Sequence, residues 1–215
     1  MYLEIEELKK YNIIGLYTYK GTSLEDLNLD KYITYDKQIH SNRVLSTKET
    51  SVFHEGDGII TDETNLPIIT RSKDCVSIFL FDKENRVIGN LHSGWRGTLS
   101  SIIKEGINKM ISIYHSNPKD IIMVILPSIR KCCFEVDSDV YLQFKEKYPS
   151  NKYYEKKDNK YLISMQDIII DDALNSGILN ENIIDTNICT LCNHDKFNSH
   201  RNKDNELNYA VLIMR

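Results

Sequence analysis

The run from Pro67 to Asp82, answered after Lys83-Glu84-Asn85 by Arg86 to Leu91, constrains the fold of this chain more than any other stretch. Both arms are rich in the β-branched and aromatic residues that suit a pleated, buried surface. A polar break, Arg71-Ser72-Lys73-Asp74-Cys75, interrupts the first arm. The second ends in His92-Ser93-Gly94-Trp95-Arg96-Gly97-Thr98. Strands joined by a short turn pair with each other, and Cys75 and His92 stand about equally far from that turn. The pattern therefore makes a thiol and an imidazole near neighbours at one edge of a sheet.

The rest of the chain alternates strands and helices. Strands are expected over Asn12 to Lys20, after the Gly56-Asp57-Gly58 turn, over Asp120 to Leu126, over Ile183 to Cys189 and over Tyr209 to Met214. Extended chain is expected around Gln38 to Val44, and a hairpin from Tyr153 to Ser164 with its turn near Asp158-Asn159. Helical spacing of Ile102, Ile103, Ile107, Met110, Ile111 and Tyr114 predicts a helix from Thr98 to Tyr114, stopped by Asn117-Pro118. Further helices are expected over Val140 to Tyr148 and from Ser164 to Gly177. The expected fold is α/β (α+β), a single-domain sandwich over residues 1–215 with a mixed sheet flanked by helices.

Composition narrows the function classes. With 41% hydrophobic and 27% charged residues the chain has the balance of a globular protein. A formal charge of -4 argues against a general nucleic-acid or membrane-surface binder. The N-terminus carries acids where a signal peptide carries bases, and no run is long enough to cross a bilayer. The expected location is cytoplasmic. Five cysteines, an odd number, suit packing or ligation in a reducing compartment rather than a disulfide framework.

Cys75 and His92 leave two chemistries open, a nucleophile–base dyad or two ligands of one metal. His40, within Gln38-Ile39-His40-Ser41, is the best-placed third ligand. Two imidazoles and a thiolate leave an open position on zinc, and soft sulfur with imidazole also suits copper. The strand-to-helix turn at Gly94 to Thr98, with Arg96 and Gly97, offers free N–H groups to an anion. Glu135 and Asp74 are candidate proton carriers, and Arg201 is a candidate anion-binding arginine. Cys132-Cys133 reads as packing. The cramped Cys189-Thr190-Leu191-Cys192, with no second such pair, argues against a structural metal.

Taken together, these motifs resemble the YfiH family of laccase-domain proteins, also called the multicopper polyphenol oxidoreductase or peptidoglycan-editing-factor family. The matching features are Gln38-Ile39-His40-Ser41, Asp57-Gly58-Ile59-Ile60-Thr61, Asp74-Cys75-Val76, His92 to Thr98, Cys133-Phe134-Glu135-Val136, and Cys189-Thr190 with Ser199 and Arg201. They run in family order from about residue 38 to the end, and the region 1–37 looks shortened. The resemblance implies a zinc site at His40, Cys75 and His92, with copper as an in vitro substitute. It implies purine nucleoside phosphorylase activity on adenosine, inosine and methylthioadenosine, with adenosine deaminase activity beside it. Ser41, Arg96, Gly97 and Arg201 would then face phosphate and substrate. The tandem arginines usual near the family's C-terminus are reduced here to Arg201-Asn202, so Lys20, Lys73 or Lys203 would stand in as point charges. Other readings are a copper-dependent polyphenol oxidase, a metal-free Cys/His hydrolase and a non-enzymatic factor acting on cell-wall composition. The partners expected are a purine nucleoside and phosphate, with the chain a monomer or homodimer.

Overall fold

The computed structural model describes residues 1–48 and 53–215. In chain order its elements are β1 (Tyr2–Glu4), α1 (Glu6–Lys9), β2 (Ile13–Thr18), β3 (Val44–Ser46), β4 (Gly58–Thr61), β5 (Ile68–Ser72), β6 (Val76–Asp82), β7 (Val87–Ser93), α2 (Trp95–Leu99), α3 (Ile102–Tyr114), β8 (Ile121–Ile125), β9 (Glu135–Val136), α4 (Ser138–Lys147), β10 (Tyr154–Lys157), β11 (Lys160–Ile163), α5 (Met165–Asn175), β12 (Ile183–Asp185) and β13 (Asn208–Met214). A mixed sheet in the order β12-β8-β6-β7-β4-β3 lies at the centre. A second, antiparallel sheet, β1-β2-β13-β5, covers one of its faces, and a small sheet, β10-β11-β9, lies to the side.

Burial on both faces explains the apolar run of β6. Val76, Ile78 and Leu80 pack with Ile103, Ile107 and Met110 of α3, whereas Phe79 and Phe81 point the other way, onto Ile13, Tyr17, Leu212 and Met214 of the second sheet. Side chains alternate across a strand, so a strand covered on both sides must be apolar at every step. This is the α/β sandwich expected from the alternation of elements. A buried polar tie joins its sheets. Asn90 of β7 donates to the carbonyls of Ile68 (3.0 Å) and Ala210 (2.8 Å), and accepts from the Thr70 hydroxyl (2.8 Å). Asn90→Ala leaves these groups unpaired away from water, and is expected to lower the urea-unfolding free energy by about 2–3 kcal/mol.

Three expectations change. The Pro67 to Asp82 run is two strands in different sheets: β5 belongs to the outer sheet and β6 to the central one. Asp74, with a left-handed φ of 82°, turns the chain from one to the other. The helix expected over Thr98 to Tyr114 is two helices, α2 and α3, separated at Ser101, whose φ is 57°. The strand expected over Ile183 to Cys189 stops at Asp185, leaving Cys189 in an isolated bridge to Ser128. By contrast, the β10–β11 hairpin turns where Asp158-Asn159 places it, with Asp158 left-handed at φ 52°.

Candidate functional site

β6 and β7 pair in a register that sets Ser77 opposite His92 and Val76 opposite Ser93. Cys75 lies two residues back along the same face and so meets His92 diagonally. His40 arrives from a separate loop, at a left-handed φ of 57°. Two contacts hold that loop in place. Gln38 pairs with Arg71 as a strand residue would, accepting from its N–H (2.7 Å) and donating to its carbonyl (2.8 Å). The Arg71 guanidinium in turn donates to the carbonyls of Tyr35 (2.6 Å) and Asp36 (3.2 Å).

Donor atoms of His40, Cys75 and His92 all lie within 4.8 Å of one another. The His40 and His92 rings meet edge to face at 4.9 Å. Such proximity needs Gly94, because a Cβ there would lie 2.7 Å from His40 Cδ2 and 3.3 Å from Cys75 Sγ. Asp57 joins the site through contacts that its Asp57-Gly58 motif does not announce in the sequence. Its fully buried carboxylate accepts from His92 Nδ1 (2.9 Å), the His40 N–H (2.9 Å), and the N–H and hydroxyl of Ser41 (both 2.7 Å). With Nδ1 held against Asp57, Nε2 is the ring nitrogen left for a metal. A carboxylate behind a ligating imidazole is the usual second support of a metal site.

Electrostatics agree. Burial alone would raise the Cys75 thiol, but the charge of His92 and hydrogen bonds from both imidazoles outweigh it and bring the pKa down to about 6. Burial likewise opposes charge on His92, yet the facing Cys75 and Asp57 raise its pKa to about 9. A thiolate is the form a metal binds. In the metal-stripped protein, alkylation of the Cys75 peptide should therefore reach its plateau above a midpoint near pH 6, far below the ordinary value of 9.0. Rates read by mass spectrometry at a series of pH values check this, and a midpoint at the ordinary value would contradict it.

His40, Cys75 and His92 open onto a cavity of about 920 Å³. One part of its wall is apolar and aromatic, with Trp95, Ile129, Phe134, Met165 and Leu207. Cations supply another part: Lys37, Arg71, Lys73, Arg96 and Arg201. Arg96 stacks over Trp95 at 4.1 Å, and Arg201 lies over Phe134 at 6.0 Å. His200 also lines the cavity, although it has no strand-end setting in the sequence.

Other expected site residues lie around this cavity rather than in its lining. Ser41 is turned onto Asp57. Gly97 sits inside α2, not before a helix start, and its missing Cβ makes room for the Ser41 carbonyl, which would be 3.0 Å away. Lys20 pairs with Asp204 (2.5 Å). Glu135 turns its carboxylate toward Lys157 (3.3 Å) and Lys160 (3.8 Å). Asp74 reaches the lining but is fully engaged, accepting from the hydroxyls of Thr190 (2.6 Å) and Ser199 (2.9 Å) and from the Arg201 N–H (2.9 Å). The cysteines depart furthest from expectation. Cys132 and Cys133 do not merely pack, because their sulfurs converge with those of Cys189 and Cys192.

The fold and the site thus define an α/β sandwich with a metal-competent His/Cys/His group in a cation-rimmed cleft. A family model described as multi-copper polyphenol oxidoreductase laccase matches residues 21–214, and the chain belongs to that family. It is 32% identical over 175 residues to a purine nucleoside phosphorylase of Clostridium acetobutylicum, covering 80% of this chain and 72% of that protein. It is also 32% identical over 169 residues to one of Rickettsia prowazekii, covering 76% of this chain and 68% of that protein. Among solved structures, the YfiH protein of Bacillus licheniformis superposes with a TM-score of 0.88, covering 100% of this chain and 96% of that one. At 23% identity, that likeness shows the shared fold. Among the described residues, no helix is long and apolar enough to cross a membrane.

Proposed function

We propose that this protein is a zinc-dependent purine nucleoside phosphorylase acting on adenosine, inosine and methylthioadenosine, with adenosine deamination as a side activity. One observation carries the reading: three metal-competent donors within 4.8 Å of one another open onto a cavity that offers both an aromatic wall and cations. Relatives named purine nucleoside phosphorylase support it.

His40, Cys75 and His92 would hold the ion, with Asp57 keeping His92 in the ligating tautomer. Zinc held there would supply a Lewis acid able to polarise an oxygen and make nearby water more acidic. Copper suits the same donors, but the chain has six histidines and only His40 and His92 belong to a donor cluster among the described residues, too few for several copper centres.

In phosphorolysis a phosphate oxygen forms a bond to C1′ of the ribose while the C1′–N9 bond breaks and the purine leaves with a proton. Trp95, Phe134 and Met165 offer the apolar surface on which a purine and its ribose can lie. Arg96 and Arg201 offer fixed positive charge to the phosphate, and the planar fork of Arg suits its oxygens. Asp74 and Glu135 act through Arg201. Asp74 accepts from its backbone N–H, and the Glu135 carbonyl accepts from its guanidinium (2.6 Å). Both contacts thus position an arginine.

The test is to strip the protein with a chelator, reload it with zinc or copper, and assay adenosine and inosine with and without phosphate. Phosphate-dependent release of free base, restored by zinc, is the expected result. Ammonia from adenosine without any phosphate-dependent base release would leave a deaminase. Phenol turnover with copper and no action on nucleosides would overturn the proposal.

A further inference from the structure

A second cluster of donors lies outside the cleft, and none of its members is among the residues lining the cavity. The sulfurs of Cys132, Cys133, Cys189 and Cys192 all lie within 4.8 Å of one another. Cys133 Sγ is 3.4 Å and Cys132 Sγ 3.7 Å from Cys192 Sγ, and all four thiols are free. Zinc bound by four thiolates at about 2.3 Å sets its sulfurs about 3.8 Å apart in a tetrahedron. The cluster already has nearly that spacing, and its widest gap would close by no more than about 1 Å. The space suits a single ion. From this geometry we infer that Cys132, Cys133, Cys189 and Cys192 form a closed structural zinc site, separate from the His40, Cys75 and His92 group.

The backbone builds the cluster from two tight turns. In the first, the N–H groups of Cys133 and Phe134 both donate to the Arg130 carbonyl (2.8 Å each), so two consecutive cysteines sit on one turn. In the second, the Asn193 N–H donates to the Cys189 carbonyl (3.1 Å), folding Cys189 and Cys192 into a knuckle. Backbone N–H groups of Cys192 and Arg130 also point at the Cys189 sulfur. A parallel bridge between Ser128 and Cys189 joins the two turns, with the Thr190 N–H donating to the Ser128 carbonyl (3.1 Å).

Charge explains why an ion belongs there. Four sulfurs within 4.8 Å of one another cannot all carry charge without a cation between them, because crowded thiolates repel one another. A divalent cation removes that repulsion and draws the protons off. An ion at this point would staple the turn after β8 to the segment that runs on to Ser199 and Arg201. It would thereby stiffen one wall of the cleft without touching substrate.

The experiment uses the full chain carrying Cys75→Ser and His92→Ala, which empties the first group, purified under reducing conditions. Zinc content is measured after addition of zinc chloride and gel filtration, and alkylation of each cysteine is read by mass spectrometry. The proposal expects one zinc per chain, protection of all four cysteines, and a fall in melting temperature on chelation. Adding Cys132→Ser and Cys192→Ser should remove that zinc and the protection. Cobalt in place of zinc should give the intense visible absorption of tetrahedral cobalt–thiolate, lost in the same variant. A folded Cys75→Ser/His92→Ala protein that takes up no zinc and whose four thiols react freely would overturn the inference, as would a disulfide within the cluster. None of these readouts depends on phosphorylase activity, so failure of one proposal does not imply failure of the other.

Discussion

Gly94→Ala is expected to cost metal binding and at least about 100-fold in phosphorolysis while leaving the fold intact. The new methyl group would lie 2.7 Å from His40 Cδ2 and 3.3 Å from the Cys75 sulfur, inside contact distance of two of the three donors. The backbone itself has no objection to alanine. Gly94 has φ -68° and ψ 175°, ordinary extended geometry for any L-residue. The strain therefore falls on His40, whose ring must move, and a displacement of about 1 Å at a positioning group is enough for a loss of this size. Zinc content, the phosphorolysis rate and the melting temperature measured on one preparation check the claim. Wild-type zinc and rate in the variant would show that the donors do not need this close approach.

The second large effect is expected at Asp57. Asp57→Asn should weaken metal binding about 10- to 100-fold, the usual cost of removing the partner behind a ligating histidine. It should also destabilise the protein by about 2–4 kcal/mol, because one carboxylate now serves four donors from His40, Ser41 and His92. An amide brings N–H groups to face donors, and it cannot satisfy all four. The pH dependence follows from the folded pKa. Burial favours the neutral acid, but hydrogen bonds from His92 and Ser41 and the charge of His92 outweigh it, holding Asp57 below its ordinary 3.8. A carboxylate with a lowered folded pKa stabilises the fold above its unfolded pKa, and that contribution fades as pH falls through the folded one. The stability gap between wild type and Asp57→Asn should thus be widest near neutrality and shrink in acid. A gap unchanged on acidification, measured by urea unfolding at several pH values, would mean that Asp57 is not ionised in the native site.

The parts of this account that were legible in the sequence are those set by local pattern. The β6–β7 hairpin and β8 announce themselves because strands buried on both faces must be apolar throughout. The β10–β11 hairpin does so through its turn residues, and α5 through its Ser164 start, which accepts from the Asp167 N–H, and Gly177 at φ 98°. His40, Cys75 and His92 could be singled out by their setting and by family resemblance. What stayed hidden depends on tertiary contact. Asp57 looks like half of an ordinary Asp-Gly turn until the fold brings His92 and the His40 loop to it. The three partners of Asp74, Thr190, Ser199 and Arg201, are more than a hundred residues away and leave no local signal. The break at Ser101 has no local signal, since the apolar spacing on its far side continues in helical phase. Cys132-Cys133 and Cys189 to Cys192 each carry little signal alone, and the Ser128–Cys189 bridge brings them into one cluster.

The proposed function depends on His40, Cys75 and His92 holding one ion between them. Crystals of protein purified without added metal, with diffraction recorded on both sides of the zinc absorption edge, test that directly. The expected result is an anomalous peak bonded to one nitrogen of each imidazole and to the Cys75 sulfur, facing the cavity. Ordered side chains at all three positions with no anomalous density between them, in crystals soaked with zinc, would contradict it.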